Sequence, residues 1–148
     1  MPTPTTRLTR RECFSHWARE QVRFSDTDAL GHVNNLAFGA FAETGRCMFL
    51  KRFVEKGSAQ PAMFLPATIA ITFLGEVHWP AAVEVGTGIL SIGNSSFRFG
   101  QGMFEEGRCF ATSEAVFVHV GVADHRPQPI PDSIREWLGG YVIEGEEP

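Results

Sequence analysis

The residues best equipped for chemistry stand in one short run, Phe24-Ser25-Asp26-Thr27-Asp28-Ala29-Leu30-Gly31-His32-Val33-Asn34-Asn35. It carries two carboxylates, an imidazole and two carboxamides. A carboxylate can attack a carbonyl carbon directly, or take a proton from the water that does. Either route builds negative charge on the carbonyl oxygen, which N–H donors must hold. The first turn of a helix has N–H groups without intrahelical partners, and Asn34 or Asn35 can cap a helix starting here. Gly31 lets the backbone approach a bound group closely. A carboxylate just ahead of a helix start therefore suits hydrolysis at a carbonyl.

The same residues have plainer uses. Aspartates in a Ser-Asp-Thr-Asp run commonly make Asx turns or caps, and Asp26 is read as such a turn residue. His32 by itself reads as a loop histidine. Beside Asp28 it is also a candidate for orienting the loop or contacting substrate. Capping by Asn34 or Asn35 is compatible with catalysis.

These residues must be positioned by the elements around them. Phe14 to Phe24 reads as a first strand, with Trp17, Val22 and Phe24 among polar residues. A long helix is expected over 35–55. Its apolar residues, among them Phe38, Phe41, Met48, Phe49 and Phe53, leave few polar faces, which predicts burial. Gly39 and Gly45 would each cost about 1 kcal/mol against alanine in a helix, and close packing on a sheet is the reason to tolerate both. Lys51, Arg52, Glu55 and Lys56 return the helix to solvent, and Gly57 stops it. Alternating strands follow over 68–74, 83–92, 95–104 and 108–120, with Gly93-Asn94 as a two-residue hairpin signal. The loop 75–82 holds His78, Trp79 and Pro80. Three prolines in 126–131 exclude a central strand, and a short helix then reaches Leu138 before Gly139. Strand, buried helix and four antiparallel strands make an α+β architecture, one sheet wrapped around one helix. The expected organisation is a flexible arm over 1–12, a single domain over 13–140 and an acidic tail over 141–148.

With 148 residues the chain suits one domain with a self-sufficient core. Thirteen phenylalanines against one tyrosine point to a dense apolar core or an apolar interface. The net charge of −4, with no basic stripe, excludes a nucleic-acid partner. Cys13, Cys47 and Cys109 match no metal or redox spacing and read as reduced thiols. His16, His78, His119 and His125 likewise show no ligand spacing, so neither a metal nor a cofactor is expected. No secretory signal and no membrane-spanning run is present, and the expected location is cytoplasmic.

The run from Asp26 to Asn35 resembles the signature of the 4-hydroxybenzoyl-CoA thioesterase family, D-x-D-x-x-G-H-V-N-N, followed there by a tyrosine and a helical E-x-x-R. Glu43 and Arg46 supply the last pair. Ile92-Gly93-Asn94-Ser95-Ser96-Phe97 and Pro129-Ile130-Pro131 extend the likeness, which covers about residues 17 to 138. The resemblance implies a hotdog fold, an antiparallel sheet wrapped around one long central helix. It implies an acyl-CoA thioesterase in which Asp28 is the nucleophile or general base and the N–H near Asn35 faces the thioester oxygen. Catalytic candidates are thus Asp28, Asn35 and His32. Candidates for substrate binding are Gly31, Asn34, Phe38, Ser95, Ser96 and Arg98, the last three through the pantetheine arm and nucleotide. Phe38 replaces the family's tyrosine and so removes a hydroxyl. Relatives carry more basic residues near Asn94-Ser95, which leaves a carrier-protein substrate open beside CoA. Glu43 with Arg46 reads as a helix ion pair, and Glu43 is the alternative catalytic group, since other branches use a helical glutamate. The resemblance further implies a homodimer or homotetramer, with each site at a subunit boundary. Two other functions stand against hydrolysis. One is a non-catalytic module binding acyl-CoA or a protein. The other is an enoyl-thioester hydratase, whose motif places a proline and an apolar residue before its histidine, unlike Leu30-Gly31-His32.

Overall fold

The computed structural model describes residues 6–55 and 63–145. Asn34 caps a helix, α1, spanning Asn35–Glu55 as expected. The stop assigned to Gly57 lies outside the described residues. Among the described residues five strands form one antiparallel sheet: β1 (His16–Gln21), β2 (Met63–Phe73), β3 (Ala82–Ile92), β4 (Ser96–Glu105) and β5 (Arg108–Val120). Their spatial order is β1-β3-β4-β5-β2. A short helix, α2 (Asp132–Gly139), follows. This is the α+β hotdog arrangement, with α1 against one face of the sheet.

Several boundaries depart from the sequence pattern. β2 begins at Met63, not at residue 68, and runs through Pro66. It is an edge strand with a register shift between Pro66 and Thr68, a place where a missing N–H costs no ladder bond. β1 is shorter than expected because Phe24 opens a 3₁₀ turn, Phe24–Asp26. The β3–β4 turn takes a third residue, Ser95, and closes with the Gly93 N–H donating to the Ser96 carbonyl at 2.7 Å.

The helix sits very close to the sheet at one point. A Cβ on Gly45 would lie 2.7 Å from Val85 Cγ1 and 2.8 Å from Gln101 Nε2. Gln101 is fully buried on β4. Its amide donates to the Ala42 carbonyl at 2.9 Å and to Thr87 Oγ1 at 3.0 Å, and its oxygen accepts from Arg46 at 3.1 Å. This polar cluster joins α1, β3 and β4 with its groups paired, as buried polar groups require. Gly39 has no such reason among the described residues, where a Cβ would meet only Ile71 Cδ1 at 3.9 Å.

Apolar clusters flank this contact. Near the start of α1, Phe38, Phe41, Val33 and Val77 pack on Val83, Met103 and Phe110. Toward its end, Phe49 packs with Phe97, Phe99, Ile134 and Leu138, and α2 covers this half. The helix is not buried all round, however: Leu36 is 82% and Met48 44% exposed. α1 packs on β1, β3 and β4 and touches β2 chiefly through Phe38, whose ring lies 5.3 Å from that of Phe73. Ile69 and Phe73 on that face of β2 therefore stay exposed, and Leu65 is exposed on the opposite face.

The segments expected to be loose are partly docked. On the sheet's outer face Gly86 opposes Gly102 and Gly88 opposes Gly100. This bare strip accepts Leu8, Phe14 and Ile143, all three buried. Arg7 donates to the Ile143 and Gly145 carbonyls, and the Ile143 N–H donates to the Ile89 carbonyl at 2.8 Å. Residues 6–12 and 141–143 thus pack on the domain. Leu8 stands alone among polar residues, and Tyr141-Val142-Ile143 is too short a run to show a period. No helix among the described residues is long and apolar enough to cross a membrane.

The Gly45 contact has a measurable consequence. Alanine favours a helix over glycine by about 1 kcal/mol, but overpacking a filled site costs about 1 to 3 kcal/mol. Gly45→Ala is expected to lower the unfolding free energy in urea by about 1 kcal/mol, while Gly39→Ala holds or raises it. A Gly45→Ala protein as stable as the wild type would refute the close approach.

Candidate active site

The turn ahead of α1 is built by its own polar groups. Asp26 is buried, and its carboxylate accepts from the Arg23 N–H at 2.8 Å and the Arg23 guanidinium at 3.0 Å. Burial pushes this carboxyl up, but its hydrogen bonds and charge attraction to Arg23 outweigh that and hold it below its ordinary value. The Asp26 carbonyl accepts from both the N–H and the Nδ2 of Asn34, at 2.8 and 2.9 Å. Asn34 Oδ1 in turn accepts from the Ala37 N–H at 3.0 Å, the N-cap bond. Asp26 and Asn34 thus lock the turn to the helix.

Asp28 lies inside the loop so closed. Its N–H donates to the His32 carbonyl at 2.9 Å, and its carbonyl accepts from Gly31 at 3.0 Å. Gly31 has φ +80°, a backbone state glycine adopts without penalty. Asp28 Oδ1 accepts from the N–H of Leu30 at 2.9 Å and of His32 at 3.3 Å. Among the described residues nothing donates to its Oδ2, and the side chain is exposed. Asn35 and Leu36, the first residues of α1, are exposed too. No acceptor for their N–H groups is found among the described residues, as expected for a first helical turn. A carboxylate oxygen in the turn and the N-terminal donors of the helix it precedes are therefore both open to solvent.

The other candidates divide. The His32 side chain turns to the β2–β3 loop, with Nε2 3.3 Å from Glu76 Oε2, and not to the Asp28 carboxylate. Phe38 is buried in the core, stacked near Phe41 and tilted on Phe110. Arg46 does not pair with Glu43; it is buried against Gln101, and burial pushes its guanidinium down while the Glu43 charge partly restores it. Glu43 itself is exposed, about 12 Å along the helix from Asn35 at the usual rise per residue. Ser95, Ser96 and Arg98 sit at the far end of the sheet. The Asp28 loop is held at the opposite end, where Val33 donates to the Val77 carbonyl and Val22 to the Ala81 carbonyl. Roughly 25 Å of strand separates the two. Arg98 there pairs with Glu114 at 3.0 Å.

Sequence reasoning missed two groups near the turn. Glu76 and His78 stand against His32, a meeting of loops far apart in the chain. Glu20 on β1 has a buried Oε2 without a partner among the described residues. Burial raises its carboxyl, opposed by a Thr44 hydrogen bond and assisted by the Asp26 charge. A lone glutamate at a strand end gives no sequence signal of this.

With fold and site in view, comparison with known proteins agrees on a class. The profile of the thioesterase-like superfamily matches residues 22–138, and the chain belongs to that family. Among solved structures, a predicted thioesterase from Bacillus stearothermophilus superposes with a TM-score of 0.80 at 28% identity, over 88% of this chain and 98% of that one. A thioesterase from Thermus thermophilus, crystallised with coenzyme A and Zn, gives 0.74 at 31% identity, over 84% and 98%. A search of the curated proteins finds no match. Family and neighbours together support thioester hydrolysis as the class of activity.

The cap that seats this turn can be tested directly. Asn34→Ala removes the side-chain bonds to the Ala37 N–H and the Asp26 carbonyl, keeps the backbone bond to Asp26, and is expected to cost about 1 to 2 kcal/mol in chemical unfolding. A change below a few tenths would mean that the turn does not depend on them.

Proposed function

We propose that this protein hydrolyses an acyl-CoA thioester to the free acid and CoA, with Asp28 as the reacting carboxylate. One observation carries the reading. Asp28 is anchored through Oδ1 alone, leaving Oδ2 available in the turn that leads into the unpaired N–H groups of Asn35 and Leu36. As nucleophile, the carboxylate bonds to the carbonyl carbon, the C–S bond breaks and CoA leaves as a thiolate that takes a proton. Water then cleaves the mixed anhydride. As base, Asp28 takes the proton from the water that adds to the same carbon. In both routes the helix N–H groups receive the oxyanion, and the partial positive charge of the helix N-terminus favours it. Glu43 is the weaker alternative, because those donors lie two turns away from it.

Coenzyme A is favoured over an acyl carrier protein on two grounds. The Thermus relative was crystallised with coenzyme A. The chain's own charge of −4 disfavours docking an acidic carrier.

The reading includes a second copy of the chain. The free edge of β2 and its exposed Ile69 and Phe73 form an unpaired, apolar strand, which proteins cover or pair. A partner pairing antiparallel through β2 would bring its own far end, with Ser95, Ser96 and Arg98, beside this chain's Asp28 turn. The site would then be completed in a homodimer, or in a tetramer of such dimers.

Asp28→Asn keeps an Oδ1 acceptor for Leu30 and His32, so the turn survives while the charge is lost. CoA release from a panel of aryl-, short- and long-chain acyl-CoAs is expected to fall by about 100-fold or more. Undiminished turnover would transfer the role to another carboxylate, with Glu43 next. No turnover by wild type on any member would redirect the search to carrier-protein thioesters or to binding alone. Separately, Ile69→Glu places a charge on the β2 surface and is expected to yield monomers by light scattering, with hydrolysis lost. An intact oligomer would place the interface elsewhere.

A further inference from the structure

We propose that His32, Glu76 and His78 form a binding site for one zinc ion, clamping the Asp28 turn to the β2–β3 loop. Their ligand atoms all lie within 4.8 Å of one another. His32 Nε2 is 3.3 Å and His78 Nε2 3.6 Å from the same oxygen, Glu76 Oε2. Ligand atoms bound to a tetrahedral zinc at about 2.0 to 2.1 Å stand about 3.3 to 3.4 Å apart. The His32 distance matches that spacing, the His78 distance of 3.6 Å is slightly longer, and small rotations of partly exposed side chains would close the set. The imidazole rings stand at 85° with centroids 4.9 Å apart, both offering Nε2 to the carboxylate.

The backbone builds this meeting. Val33 donates to the Val77 carbonyl at 2.8 Å, and both valines are buried in the core. Turning Val77 inward leaves its neighbours Glu76 and His78 outward, and His32 precedes Val33 on the facing strand of chain. The donor set, two imidazoles and one carboxylate, suits zinc and leaves a fourth position for water. The competing account is a carboxylate shared by two histidines that pair with it only when protonated, without any metal. The site stands or falls by metal binding, whatever reaction Asp28 performs.

Chelator-stripped full-length protein is titrated with Zn²⁺ by calorimetry, beside His78→Ala, Glu76→Gln and the control His125→Ala. His125 is exposed on another loop. The expected result is one saturable Zn²⁺ per chain. It should be weakened at least about tenfold by His78→Ala and by Glu76→Gln, since even outer-shell losses cost that much, and unchanged by His125→Ala. Zn²⁺ should also raise the melting temperature of the wild type and not of His78→Ala, and Co²⁺ should give the visible absorption of a four-coordinate ion. Equal binding by wild type and His78→Ala, or equal losses in all three variants, overturns the site. Should His78→Ala fail to fold, Glu76→Gln decides alone.

Discussion

The rest of the molecule hangs on the close seating of α1 on the sheet at Gly45. Without a Cβ there, the helix backbone comes down onto Val85, Thr87 and Gln101. Gln101 then bonds to Ala42, Thr87 and Arg46 at once. An apolar helix on an apolar sheet could slide with little cost, whereas a buried amide with fixed partners has one low-energy position. That position sets where the helix begins. Because Asn34 caps the helix and also holds the Asp26 carbonyl, it sets the Asp28 turn as well.

A second constraint is what α1 does not cover. It spans β1, β3 and β4 and leaves β2 largely bare. The sheet is wider than one helix, so the protomer keeps an apolar strand with an open edge at one side. Its outer face over β3 and β4 is covered. The glycine strip on the outer face of β3 and β4 accepts Leu8, Phe14 and Ile143, drawing residues 6–14 and 141–143 onto the domain. The molecule thus uses short segments near each end of the described chain to cover its outer face and leaves the β2 side bare.

The candidate site follows the same division. The half proposed to react, Asp28 with the N–H groups of Asn35 and Leu36, lies within one chain because one short turn and the helix it caps supply it. The half assigned to the CoA arm, Ser95, Ser96 and Arg98, stands at the other end of the strands. Local hydrogen bonding explains the first half; uniting it with the second is what the proposed pairing of two sheets would do. His32 belongs to neither in the expected way, since its ring leaves the Asp28 carboxylate for Glu76 and His78.

Much was legible in the amino-acid sequence alone. The helix span 35–55, the strand 108–120 and the turn-and-cap run from Asp26 to Asn35 are local patterns, written in residue period and in side chains that bond to their own backbone. So was the reason for Gly45, although Gly39, given the same reason, lacks it. Tertiary structure decided what depends on distant partners. Arg46 left Glu43 for Gln101 because burial, not helix spacing, chose its neighbour. β2 ran through Pro66 because it became an edge, and Leu8 and Ile143 docked because four glycines cleared a strip for them. Glu76 and His78 met His32 because a single bond from Val33 to Val77 joined two loops. Periodicity reports which face of an element is apolar; which other element fills it is settled by three-dimensional packing, and no spacing along one chain encodes that.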